Sequence, residues 1–164
     1  PILDNSWIQQ YENGRRIGQG GMYIGAAGGM SIGVSVVLLA TSIVTWDDSF
    51  IEGSVVAFVT GGILSGLGSP VAIIGAQRSH KALVKGGLAT GGCNRCNGAW
   101  GSLATVPITN VFGLGASYIF AGKQIRQNHA VFVNAQQMQA QHTQLRLVPI
   151  VSTEHRGIAL SGQF

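Results

Sequence analysis

Charge is what this sequence has least of. Among 164 residues there are ten Lys or Arg and six Asp or Glu, so 10 % of the chain is charged, against roughly a quarter in an average soluble domain. Three stretches carry no charge at all: Ile17–Trp46 (30 residues), Gly53–Gln77 (25) and Cys96–Gly122 (27), together half the chain. Cysteine is scarce too. Two residues exclude a disulfide scaffold. Low charge with 46 % hydrophobic content excludes disorder, and the 25 glycines follow no Gly-X-Y period, which excludes collagen. An integral membrane protein remains.

Catalytic groupings are also missing. None of the six acids falls inside an apolar stretch, so the intramembrane carboxylate of an ion pathway is absent. Asp47, Asp48 and Glu52 share one short turn and read as solvated acids. Gly18-Gln19-Gly20-Gly21 is followed by no Lys-Ser/Thr pair, as a phosphate loop requires. His129, His142 and His155 are dispersed. The chain is therefore read as a non-enzyme with no cofactor and no metal site.

What charge there is has a pattern. The net charge is +4, yet Arg15, Arg16, Arg78, Lys81, Lys85, Arg95, Lys123 and Arg126 all flank the apolar stretches, leaving only Arg146 and Arg156 elsewhere. That is membrane-edge placement and not a nucleic-acid-binding stripe. Position 1 is Pro, so the N-terminus is expected to be trimmed, and export can be neither claimed nor denied from it.

A helix crosses the bilayer core in about 20 apolar residues, and all three stretches exceed that. Spans are expected at about 20–45, 53–77 and 99–122. The acidic, aromatic linker Trp46-Asp47-Asp48-Ser49-Phe50-Ile51-Glu52 turns the first two into a hairpin, whereas Pro107 and Asn110 predict a kinked or partly re-entrant third span. The expected fold is an all-α integral membrane protein: a Gly-rich transmembrane helical hairpin plus a third kinked span, then a short C-terminal amphipathic helix and a β-hairpin. Residues 1–16 lead into the membrane, 17–122 form the membrane domain, and 123–164 are an extramembrane tail.

Lysine and arginine counting orients the spans. Arg78, Lys81, Lys85 and Arg95 lie between spans two and three with no acid, while the first linker holds three acids and no base. The positive-inside rule places the Ser79–Asn97 loop and the N-terminus in the cytoplasm, with the bacterial inner membrane the expected location and the outer membrane the alternative. Lys123 and Arg126 conflict with this, since a complete third span would put them outside.

Each glycine costs a helix roughly 1 kcal/mol, so their number calls for a packing reason. Small residues recur at every fourth position: Gly21, Gly25, Gly29 and Gly33; then Gly53, Ala57, Gly61, Ser65 and Ser69; then Gly101, Thr105, Thr109, Gly113, Ser117 and Ala121. Such rows let helix backbones approach closely, within one chain or between subunits.

In the tail, Ile125, Phe132, Ala135, Met138 and Leu145 fall near helical spacing. The period then changes to two, through Leu145, Leu147, Pro149 and Val151 and again through Ile158, Leu160, Gly162 and Phe164, with a turn between. A lone hairpin is marginal in water, so Ile158, Leu160 and Phe164 are expected to dock on a partner.

Cys93-Asn94-Arg95-Cys96, flanked by Gly91, Gly92 and Gly98, is the one motif with reactive groups. Arg95 would lower the thiol pKa. Haem attachment needs His at position 97, where Asn stands, and zinc lacks ligands beyond the distant His80 and His129. A local disulfide and plain thiols in a loop both stay open.

The run Trp7-Ile8-Gln9-Gln10-Tyr11-Glu12-Asn13-Gly14-Arg15-Arg16, the hairpin end Gly75-Ala76-Gln77-Arg78 and the closing Gly157-Ile158-Ala159-Leu160-Ser161-Gly162-Gln163-Phe164 resemble those of a loose group of Gly-rich membrane-hairpin proteins of the bacterial envelope, frequent in Bacteroidota. The resemblance implies a membrane hairpin, a β-like C-terminus and a lost signal peptide, which would place the tail in the periplasm. It implies no activity, and the Cys-Asn-Arg-Cys loop departs from it.

The leading functional expectation is a structural or accessory subunit of a membrane complex, with lipid and either other membrane subunits or further copies of itself as partners, and no nucleic acid. The alternatives are a small membrane redox protein using Cys93 and Cys96, and an oligomeric channel component with Thr105, Thr109 and Asn110 along its pore.

Overall fold

With no proline in the first uncharged stretch and one in the second, little interrupts helical hydrogen bonding there. A computed structural model, describing residues 6–104, 110–142, 146–151 and 156–161, shows both stretches as long helices: α1 (Ser6–Thr45, 40 residues) and α2 (Ser49–Lys85, 37 residues). Pro70 is accommodated inside α2. The turn between them is three residues long and tightly bonded. Trp46 takes a positive φ of 55° and donates its N–H to Ser42 O at 2.8 Å, a left-handed cap usually filled by Gly or Asn. The Asp47 carboxylate accepts from the Ser49 hydroxyl (2.7 Å) and N–H (2.9 Å).

α2 stops at Gly86, whose N–H bonds Ala82 O, and Gly87 then turns the chain at φ 71°. Two further helices follow, α3 (Asn94–Ala104) and α4 (Asn110–His142). The expected span at 99–122 is therefore not one helix. Among the described residues only α1 and α2 are long and apolar enough to cross a membrane. Pro107 lacks an N–H and disfavours helix at its neighbour, and the apolar part of α4 meets Lys123 before reaching spanning length. Thr105, Pro107 and Thr109 lie outside the described residues.

The chain divides into two compact units, Pro1–Asn128 and His129–Phe164. The first holds the hairpin, α3 and the start of α4. Its core joins Ala72, Ile73 and Ala76 of α2 to Cys96 and Ala99 of α3 and Ala121 and Ile125 of α4. The second holds the rest of α4 and two six-residue strands, β1 (Arg146–Val151) and β2 (Arg156–Ser161), antiparallel with Arg146 opposite Ser161 and Val151 opposite Arg156. No third strand joins them among the described residues; Phe164 and residues 152–155, where a turn is expected from the sequence, lie outside these.

Candidate functional site

Two features carry chemical information, and the first is the seam between α1 and α2. The buried positions of α1 include Gly14, Gly21, Gly28, Ser35 and Ser42, and those of α2 include Ser54, Gly61, Gly68, Gly75 and Ala82. Both sets repeat every seven residues. That period keeps one stripe facing a partner along the whole of a left-handed helix pair. The helices pair antiparallel: Gly14 faces Ser79, Gly18 faces Gly75, Gly21 faces Ala72, and Gly28 faces Ser65. A Cβ on Gly14 would lie 2.5 Å from Ser79 N, and one on Gly68 would lie 2.6 Å from Gly25 N. Only hydrogen fits, because backbone meets backbone.

The four-residue rows expected from sequence hold only in part. Gly21, Gly25, Gly61 and Ser65 are in the seam, Ser69 is buried against α4, and Ala57 is half-buried. Gly29, Gly33 and Gly101 face open space, and Gly53 meets only the Leu38 side chain, at 3.5 Å. Residues at every fourth position drift around a 3.6-residue helix, so a row of four leaves the seam within two steps. The structure does not describe what Gly113 faces.

α4 locks onto the hairpin through polar contacts that composition alone did not reveal. Tyr118 lies over Gly25 and Gly68, and its hydroxyl donates to Ser65 O at 2.7 Å. Ser117 and Ser69 share a buried hydrogen bond. Asn128 donates to Ser79 Oγ at 2.8 Å and to Ala76 O at 3.3 Å, and accepts from Gln124 at 2.8 Å. Among the described residues every buried side-chain N or O has a partner, as a low-dielectric interior demands. Their signal in the sequence was three polar residues, Ser117, Gln124 and Asn128, spaced seven and four apart.

The second feature lies at the base of the hairpin. Cys93 and Cys96 are joined in a disulfide, Cα to Cα 5.2 Å. The bond closes so short a loop that its entropic stabilisation is of the order of 2 kcal/mol, the low end for disulfides. Its two sulfurs are placed unequally: Cys96 is fully buried in the core, while Cys93 borders a cavity of about 440 Å³ lined also by Gln77, His80, Lys81, Val84, Gly91, Gly92 and Asn97. Gly91, at φ 77°, turns the loop back so that its carbonyl meets His80 Nε2 at 3.3 Å. Arg95, expected beside the thiols, instead hydrogen-bonds Gln127. Sequence reasoning missed His80 and Lys81 as neighbours of Cys93, because helix α2 and a glycine turn bring them together from more than ten residues away. No group of three metal-ligating side chains occurs among the described residues.

Comparison with protein-family models, with curated proteins and with solved structures finds no match.

Proposed function

We propose that the protein is a membrane-embedded structural or accessory subunit, inserted by the distal half of the α1–α2 hairpin. The observation that carries this reading is where the apolar surface lies. Tyr23, Met30, Val36, Val37, Ile43 and Val44 on α1 and Val55, Val56, Phe58, Ile63 and Leu67 on α2 are all exposed. Only 17 % of the most apolar window of α1 and 33 % of that of α2 is buried inside; the core helix of a soluble domain would be mostly covered. A patch this large and continuous is tolerated where lipid covers it. The distal segments, 23–45 and 50–67, are about 34 Å and 27 Å long, close to the roughly 30 Å hydrocarbon core.

Two crossings also remove the conflict over charge. Ile125 reaches Gly18, and Asn128 reaches Ala76 and Ser79, so Lys123 and Arg126 stand with Arg15, Arg16, Arg78 and Lys81 at the open end of the hairpin. Every basic residue of the first unit is then at one end, and Asp47, Asp48 and Glu52 are at the other. The positive-inside rule makes the basic end cytoplasmic.

The outward glycines support assembly with another helix. Gly29 and Gly33 on α1 and Gly62 and Gly66 on α2 have nothing within 4 Å of a Cβ position, leaving flat faces of the kind that membrane helices pack together. Mass in mild detergent tests this, with Gly33→Leu and Gly66→Leu as variants. We expect a wild-type complex larger than one chain and a smaller one in the variants; a strict monomer without partners refutes the subunit reading. Extraction by alkaline carbonate would refute the membrane reading itself.

A further inference from the structure

Beyond anchorage, we propose that Cys93 and Cys96 form a thiol–disulfide exchange pair that reduces anionic disulfides entering the cavity beside Lys81, with Cys93 the attacking sulfur and Cys96 the resolving one. The assignment follows from the unequal placement of the sulfurs. Cys93 opens onto a space of about 440 Å³, whereas Cys96 has no exposed surface and sits among Ala72, Ile73, Ala76, Ala99, Ala121 and Ile125. A reagent in solution reaches the first sulfur only. The cavity wall carries the cation Lys81 and the imidazole His80, and no carboxylate lines it. An accessible sulfur beside cationic side chains is where an incoming anionic disulfide is attacked, and a covered sulfur three residues on is placed to resolve the mixed disulfide that forms.

The step balances without a further oxidant. In the dithiol form, Cys93 gives up its proton to the solvent and as thiolate attacks one sulfur of the partner disulfide; the partner S–S bond breaks, a mixed disulfide forms on Cys93, and the first partner sulfur leaves as thiolate and takes up a proton. Cys96 gives up its proton and attacks Cys93 Sγ. The mixed disulfide breaks, the Cys93–Cys96 bond forms, and the second partner sulfur leaves and is protonated. Two electrons and two protons pass from the chain to the partner, and a small dithiol reverses the step to restore the reduced pair. On the basic side of the membrane, the cytoplasm in the proposed orientation, a disulfide is more often a transient half of such a cycle than a brace. That point alone leans on the orientation, and exchange is measured in detergent, where orientation plays no part.

The test uses the full chain, reduced in mild detergent and freed of reductant, with two small disulfides: dianionic 5,5′-dithiobis(2-nitrobenzoate) and dicationic cystamine. The wild-type chain should release both halves of the anionic reagent and end as the Cys93–Cys96 disulfide with no adduct. Cys96→Ser should stop with one reagent half on Cys93, and Cys93→Ser should react at least about tenfold more slowly while folded. Lys81→Gln should cut the preference for the anionic over the cationic reagent by about tenfold. A wild-type chain that keeps adducts on both cysteines, or a Cys93→Ser chain that reacts as fast as Cys96→Ser, overturns the pair. An unchanged reagent preference in Lys81→Gln overturns the role of the cavity.

Discussion

A single methylene decides most at the seam. Gly21 has Ala72 N, Ala72 Cα and Gly68 O all inside the reach of a Cβ, so Gly21→Leu must push two backbones apart and should destabilise the hairpin by about 3 kcal/mol or more. Gly20→Leu, next to it in the chain but open to its surroundings, should change stability by less than about 0.5 kcal/mol. Thermal unfolding in detergent compares the two; equal losses would disprove the seam. Asn128 makes a different argument. It holds Ser79 Oγ, Ala76 O and the Gln124 amide while itself 2 % exposed, so Asn128→Ala strips the Gln124 amide of its partner and removes one bond each from Ser79 Oγ and Ala76 O, which keep the bond between them, and should cost about 1–3 kcal/mol. Asn128→Ala with wild-type stability would mean that water or rearrangement satisfies them.

At the level of elements, the turn joining α1 and α2 is held by charge as well as by backbone bonds. Hydrogen bonds from the Ser49 hydroxyl and, next, from its N–H hold the Asp47 carboxyl below the usual carboxylate range. Its contribution to turn stability is therefore complete above the ordinary Asp pKa and is lost as pH falls through the lowered one. NMR titration of Asp47 should find its midpoint below that of Asp47 in a Ser49→Ala chain; coincident midpoints would remove the hydroxyl as the main cause. The existence of two long helices and the acidic turn between them was legible in the sequence, because uncharged stretches of that length have few alternatives. The seam was legible only in part. The spacing of seven was visible in Gly14, Gly21 and Gly28, but the equally regular Gly21, Gly25, Gly29 and Gly33 obscured it, and only the helix period of 3.6 tells which set faces a partner. In the third stretch Pro107 and Asn110 signalled a kink, but hydropathy alone could not tell one bent span from two helices, α3 ending at Ala104 and α4 beginning at Asn110. The meeting of His80, Lys81 and Cys93 depends on a glycine turn at Gly91, and no local pattern encodes it.

For the whole molecule the prediction is two-sided. In a chain carrying Cys93→Ser and Cys96→Ser, a cysteine placed at the turn by Ser49→Cys and one placed at the base by Lys81→Cys should be labelled from opposite faces of a sealed vesicle by an impermeant maleimide. Labelling of both from one face would mean that the hairpin lies on the bilayer and does not cross it. The proximal half explains how a hairpin with one bare end stays upright. Trp7 packs over Gly86, Lys85 Nζ donates to Ser6 Oγ at 3.2 Å, and α4 fills the flank with Tyr118 and Ile125. The open end of the hairpin is thereby closed by protein contacts, and the apolar side chains left uncovered are mostly those of the distal half.

Trp46 gives that arrangement a measurable depth. A bulky residue in the left-handed region is held there at a cost of roughly 1 kcal/mol, and the result is an indole 92 % exposed at the tip of the hairpin. Indoles settle at the headgroup level, where the ring meets hydrocarbon and its N–H meets water. In the proposed membrane orientation the tip would behave as a float, resisting both being drawn into the acyl chains and being lifted clear of them. Since the two helices behind it are zipped together, the level at which that ring rests would fix how far the disulfide-bearing base stands from the opposite surface. A bilayer thicker or thinner than the hairpin must then be met by tilting of the whole rod, and quenching of the Trp46 emission by lipids brominated at successive depths would read that tilt directly.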